Sequence, residues 1–225
     1  MERNSEIEPI TDFRLGDPVQ RHDSVNKETI QHLSAADKIL GRLIRKVGPC
    51  TLKPERNCSP FQSLVRSVAY QQLTGKAAAT ILGRVKNLFP DKLFPEPEDL
   101  VKIPDEQLRA AGLSRAKVAA VKDIAAKTLS GVVPDTRTIR KLSNEEILER
   151  LTTIRGVGPW TVEMLLMFRL GREDVLPVTD YGVRKGFALT YKLDELPTPK
   201  ELLAHGEKWR PYRTTAAWYL WRALD

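Results

Sequence analysis

Apolar residues recur at steps of three and four along most of this 225-residue chain, and strict alternation over a strand's length is hard to find. Ile30, Leu33, Ala36, Leu40, Leu43 and Val47 carry the pattern near the start. The spacing predicts an all-α fold, and helix start and stop signals divide it. Ser59-Pro60 places an N-cap before a proline at the first helical position and opens a helix to about Tyr70. Thr74 caps another through Leu88, Pro104-Asp105 opens a short one ending at Gly112, and Ser114 caps a basic one that stops at Gly131. Ser143 and Glu146 have capping-box spacing, and their helix runs into Gly156-Val157-Gly158. Pro159 then starts an apolar helix ended by Gly171, Thr179 or Asp180 caps the next, and Arg213 to Arg222 forms the last. No repeat or Gly/Ser linker separates two halves, so any subdivision must be built from non-contiguous segments.

Charge narrows the partner. The chain carries +7 in total, but residues 1–26 hold a net −3, leaving +10 on the rest. That acidic segment shows no periodicity and reads as partly disordered. Between Arg109 and Lys141 eight basic residues face only Asp123 and Asp135, a balance that points to a polyanion, although such charges can also simply solvate helix faces. No apolar run approaches the roughly 18 residues of a membrane span, and the acidic N-terminus is unlike a signal peptide, so a soluble intracellular protein is expected. Two cysteines, Cys50 and Cys58, cannot build a disulfide framework, a structural zinc ribbon or a Cys-ligated iron–sulfur cluster. His22, His32 and His205 have no spacing that suggests a metal site or a nucleophile relay.

The stretch Leu151-Thr-Thr-Ile-Arg-Gly156-Val157-Gly158-Pro159-Trp160-Thr161 is the most informative. Two glycines around one apolar residue allow a hairpin tight enough to present backbone N–H groups at the positive end of the following helix, a cradle for phosphate. A compact helix–helix corner would have the same sequence. Asp180 follows 22 residues after Gly158, where it reads either as an N-cap worth ~1 kcal/mol or as a functional carboxylate.

From about Ser59 to Arg222 the chain resembles the helix-hairpin-helix DNA glycosylases, within them the 3-methyladenine DNA glycosylase II branch. The blocks that carry the likeness are Tyr70-Gln71-Gln72-Leu73-Thr74, the 151–161 hairpin, Leu176-Pro177-Val178-Thr179-Asp180-Tyr181, and Trp209-Arg210-Pro211-Tyr212-Arg213 leading to Trp221. The resemblance implies two helical subdomains with the active site in the cleft between them, one formed by residues 27–74 with 183–225 and the other, bearing the hairpin, by 75–182. It implies Asp180 as the catalytic carboxylate, Trp160, Tyr181 and Trp221 as the aromatic base pocket, and Gln72 with Leu73 as the wedge that fills the gap left by a flipped base. Met164 stands where larger relatives present a tyrosine, and Trp218 is expected to pack in the core. Gly156, Val157 and Gly158 would hold DNA phosphate, and the carbonyls of Thr152, Ile154 and Val157 a Na+ or K+ ion. Basic residues of 109–141, with Lys185, are further phosphate candidates.

In the glycosylase/lyases that share this hairpin, a lysine nucleophile stands two residues after the second glycine. Trp160 occupies that place here, and an indole cannot form a Schiff base. The implied activity is therefore monofunctional: excision of alkylated purines such as 3-methyladenine and 7-methylguanine from double-stranded DNA, leaving an abasic site, with no cofactor and no iron–sulfur cluster. Methylation at N3 or N7 makes the base cationic and a good leaving group, so one carboxylate suffices where glycosidases use two. Aromatic faces then favour the charged base. A monomer is expected, in the cytoplasm of a prokaryote or the nucleus of a eukaryote. The rival readings are a catalytically silent DNA-damage-binding module that keeps the hairpin, and a helical adaptor whose basic face binds acidic protein.

Overall fold

The computed structural model describes residues 27–55 and 57–225; the segment 1–26, expected to be partly disordered and including His22, lies outside the described residues. In chain order the helices are α1 (Lys27–Ala36), α2 (Lys38–Val47), α3 (Pro60–Tyr70), α4 (Gly75–Asn87), α5 (Pro97–Lys102), α6 (Asp105–Ala110), α7 (Arg115–Leu129), α8 (Thr136–Ile139), α9 (Asn144–Leu151), α10 (Pro159–Met164), α11 (Tyr181–Tyr191), α12 (Pro199–Gly206) and α13 (Arg213–Arg222). Among the described residues there is no strand, as the periodicity predicts, and no helix long and apolar enough to cross a membrane. The caps read from sequence form: Ser59, Thr74, Ser114 and Ser143 each accept a backbone N–H from the first turn of their helix.

Packing divides the described chain into two units, residues 55–165 and residues 27–54 with 166–225. The boundaries differ from the expected ones at 74/75 and 182/183. α3, expected with the chain ends, packs instead on α4, α7 and α10, and the 166–182 segment goes with α11 rather than with the hairpin.

In the first unit α7 is the central rod, touched by α3, α5 and α6. Its Val118, Val121, Ile124 and Ala125 are buried, with Leu64, Val68, Leu100 and Leu108 from the surrounding helices. α9 and α10 are joined by the hairpin and pack on each other, and α10 also packs on α3.

In the second unit α11 crosses α13 so closely that a β-carbon on Gly186 would lie 1.9 Å from the Leu220 carbonyl oxygen, which only glycine avoids. The periodic run from Ile30 to Val47 is broken at Asp37, which caps α2 through the N–H groups of Ile39 and Leu40. This aspartate is buried, and its carboxylate also takes the Tyr191 hydroxyl (2.5 Å), the Trp209 indole N–H (3.1 Å), His205 Nε2 (3.1 Å) and the Lys208 ammonium (3.1 Å). Burial alone would raise its pKa, but the hydrogen bonds from Tyr191, the Leu40 N–H, Trp209 and Lys208 outweigh it and hold the group well below the ordinary carboxylate range. The cluster ties α2 to the far end of α11.

Candidate active site and nucleic-acid interface

In the second unit, Asp180 is presented by a hydrogen-bonded turn, its own N–H donating to the Pro177 carbonyl at 3.0 Å. It is the N-cap of α11, with Oδ1 accepting the Val183 N–H at 2.7 Å. The same oxygen accepts the Trp221 indole N–H at 2.8 Å. Trp221 comes close because Gly182 lets it: a β-carbon there would sit 2.8 Å from the indole Cδ1. The indole is stacked on Phe168, with centroids 5.8 Å apart and planes 25° apart. The half-buried carboxylate is positioned by a helix N-terminus and an aromatic N–H, which together fix its orientation. Tyr181, the next residue, is 47% exposed with the Lys185 ammonium 5.8 Å from its ring centroid.

In the first unit the hairpin follows α9. Gly156 adopts φ +75°, and a β-carbon there would lie 2.7 Å from Ala120 Cβ of α7, so the turn is pressed against that helix. The Arg155 N–H donates to Asp123 Oδ2 of α7 at 2.7 Å, and the Val157 N–H donates to the Ile154 carbonyl at 3.1 Å. Val157, expected with the glycines at phosphate, uses its N–H to close the turn, and its side chain is buried. Trp160 lies half-buried in the first turn of α10, and Met164 at its end, where the chain passes into a π-helical turn, Leu165–Leu170.

The loop between α3 and α4 holds Gln72, exposed and at φ +55°, beside the half-buried Leu73. Gln71 Nε2 donates to the Gly156 carbonyl and to Thr161 Oγ1, both at 3.1 Å. The Lys117 ammonium donates to the carbonyls of Ala69 (2.8 Å) and Gln71 (2.7 Å). Two of the basic residues expected at phosphate are therefore engaged inside the unit: Lys117 at this loop and Lys122 in an ion pair with Asp105 at 2.5 Å. Among the described residues no group of three or more His, Cys, Asp or Glu is placed to hold a metal ion.

Residues 65–211 match the HhH-GPD superfamily of base excision DNA repair proteins. The chain belongs to the HhH-GPD superfamily. It is 43% identical over 194 residues to DNA-3-methyladenine glycosylase 1 of Schizosaccharomyces pombe, a match spanning 85% of this chain and 84% of that protein. The solved structure of a 3-methyladenine DNA glycosylase from the same yeast, in complex with abasic DNA, matches with a TM-score of 0.80 at 42% identity over 87% of this chain and 96% of that one. A DNA-3-methyladenine glycosidase from Bacillus halodurans matches with a TM-score of 0.79 at 38% identity over 91% and 92% of the two chains.

For an HhH-GPD protein, the expected residues fall into two local groups. Asp180, Tyr181 and Trp221 lie in the second unit; Gln72, Leu73, the hairpin, Trp160 and Met164 lie in the first. Trp221, expected as a pocket wall, is also the hydrogen-bond donor that orients Asp180. Trp218 is half-buried, edge-on to Tyr219 at 4.9 Å and with the Arg222 guanidinium 5.8 Å from its ring. Sequence alone assigns no role to Phe168 or Gln71 and makes Lys117 only a phosphate candidate. Only the Tyr70-Gln71-Gln72 block hinted at one of them, because the motif holds a second amide beside the wedge.

Proposed function

We propose that this HhH-GPD protein is a monofunctional DNA-3-methyladenine glycosylase that flips alkylated purines out of double-stranded DNA and hydrolyses their N-glycosidic bond, leaving an abasic site. The observation that carries the reading is the Asp180 carboxylate, capped on α11 and held by the Trp221 indole at 2.8 Å. The likeness to 3-methyladenine glycosylases over most of the chain supports it.

As the bond to a cationic base breaks, positive charge develops on the sugar. An anion at ~4 Å, with an effective dielectric of ~20, stabilises that charge by ~4 kcal/mol, or roughly three powers of ten in rate. Asp180 supplies the anion, or orients the attacking water, with no general acid required by an already charged leaving group. Trp160, Tyr181 and Trp221 offer aromatic faces, each worth ~0.5–2 kcal/mol to a cationic base. Gln72, with Leu73, fills the vacated stack. Gly156 and Gly158 of the hairpin hold phosphate.

The carbonyls of Thr152, Ile154 and Val157 are hard oxygen donors of the kind a monovalent cation takes, although Ile154 already accepts the Val157 N–H. No step of the reaction is routed through such an ion. With an indole at position 160, the sugar meets no amine nucleophile from the hairpin. The reaction belongs inside the cell, where DNA is.

The test is incubation with dimethylsulfate-treated DNA and chromatography of the bases released. Free 3-methyladenine and 7-methylguanine are expected, with strands intact until alkali is added and no adduct trapped by borohydride. Absence of any released base contradicts the glycosylase reading, and efficient trapping contradicts the monofunctional one.

A further inference from the structure

Gln72 has an unusual place. It follows the C-cap of α3 at φ +55°, the left-handed position that glycine most often fills after a helix. A glycine would relax the backbone but carry no side chain to insert, whereas a glutamine keeps the amide at the cost of strain. A strained residue persists when its surroundings over-determine it. Here they do, from both flanks. Lys117, reaching across from α7, takes the carbonyl of Ala69 in the last turn of α3 and that of its C-cap Gln71, at 2.8 and 2.7 Å. Gln71 reaches forward to the hairpin turn at Gly156 and to the first turn of α10 at Thr161, at 3.1 Å each. Burial lowers the Lys117 pKa, a cost that a solvent-exposed cap on α3 would not carry.

The same face of α7 closes the circuit. Lys117, Ala120 and Asp123 stand three residues apart along it. Ala120 receives Gly156, and Asp123 takes the Arg155 N–H at 2.7 Å. The wedge loop and the hairpin are thus bolted to one helix and to each other, all within the first unit.

We infer that Gln71 and Lys117 are positioning residues for base extrusion, holding the Gln72 wedge in register with the hairpin so that DNA gripped by the hairpin meets the wedge at the stack. The inference rests on the glycosylase reading above and adds to it a division of labour: extrusion depends on this brace, and bond cleavage on Asp180 does not. Loss of a hydrogen bond of the brace, from the Lys117 ammonium or from the Gln71 amide, corresponds to roughly a tenfold effect.

The experiment compares single-turnover release of 7-methylguanine from two duplexes, one with the lesion paired to cytosine and one with it unpaired in a bulge, alongside fluorescence from 2-aminopurine beside the lesion. Lys117→Met and Gln71→Leu are expected to lose about tenfold or more on the paired duplex, with a weakened unstacking signal, and under about threefold on the bulge. Lys117→Arg, which can reach both carbonyls, is expected to recover most of the loss. Equal losses on both duplexes, or none on either, overturn the inference. Thermal melting accompanies each variant, and Gln71→Leu, a change in a half-buried loop residue, decides alone if Lys117→Met does not fold. A wild type that releases no base from either duplex overturns the glycosylase reading, and this one with it.

Discussion

One carboxylate oxygen, Asp180 Oδ1, receives two donors, the Val183 N–H at 2.7 Å and the Trp221 indole at 2.8 Å. The backbone donor is the ordinary service of an N-cap; the indole fixes the rotamer as well. Trp221→Phe keeps a ring to stack on Phe168 and removes the N–H. The expected result is a base-release rate about tenfold lower with a melting temperature close to wild type, read from single-turnover kinetics and thermal denaturation. An unchanged rate would show that the indole serves only as a surface. The capping role of Asp180 was readable because an N-cap is a local device, bonded three residues on. The Trp221 contact was not, since its partner lies 41 residues away and depends on Gly182 yielding space.

Among the elements, the hairpin offers the sharpest contrast between its two glycines. Gly156 has φ +75° and no room for a β-carbon beside Ala120, whereas Gly158 has φ −94° and nothing within 4 Å of that position. Gly156→Ala is expected to cost about 1–3 kcal/mol in unfolding free energy and to weaken binding to abasic duplex, while Gly158→Ala stays within about 0.5 kcal/mol. Denaturant titration of both variants checks the pair; equal effects would mean that the hairpin is not pressed on α7. Helix starts at Ser59, Thr74, Ser114 and Ser143 were legible in the sequence, because a capping side chain and its N–H lie within one turn. The break at Asp37 was not. The apolar spacing from Ile30 through Val47 runs on across it as though one helix continued, and the residues that make Asp37 a cap and a hub, Tyr191, His205, Lys208 and Trp209, are all distant in sequence. The displaced unit boundaries have a similar cause: the apolar face of α3 does not name its partner, and its packing on α4, α7 and α10 assigns it to the first unit.

Among the described residues, local caps hold many helix ends, and the buried Asp37 cluster holds part of the second unit together. Because that carboxyl is depressed well below its ordinary value in the folded state, its stabilisation is present above the unfolded pKa near 4 and is lost as pH falls through 4 toward the folded value. Asp37→Asn is expected to lower stability at pH 7 by about 3 kcal/mol and to flatten the acid limb of a stability–pH curve, as measured by denaturant titration between pH 2 and 7. An unaltered acid limb would remove Asp37 as its source. In the proposed reading the hairpin grips DNA and Asp180 does the chemistry, so the two are separable in a single variant. The decisive measurement sets Asp180→Asn beside wild type on dimethylsulfate-treated DNA, with affinity for an abasic duplex measured in parallel. The asparagine variant should bind the abasic duplex about as tightly as wild type and release methylated purines roughly a thousandfold more slowly; release at the wild-type rate would contradict the account.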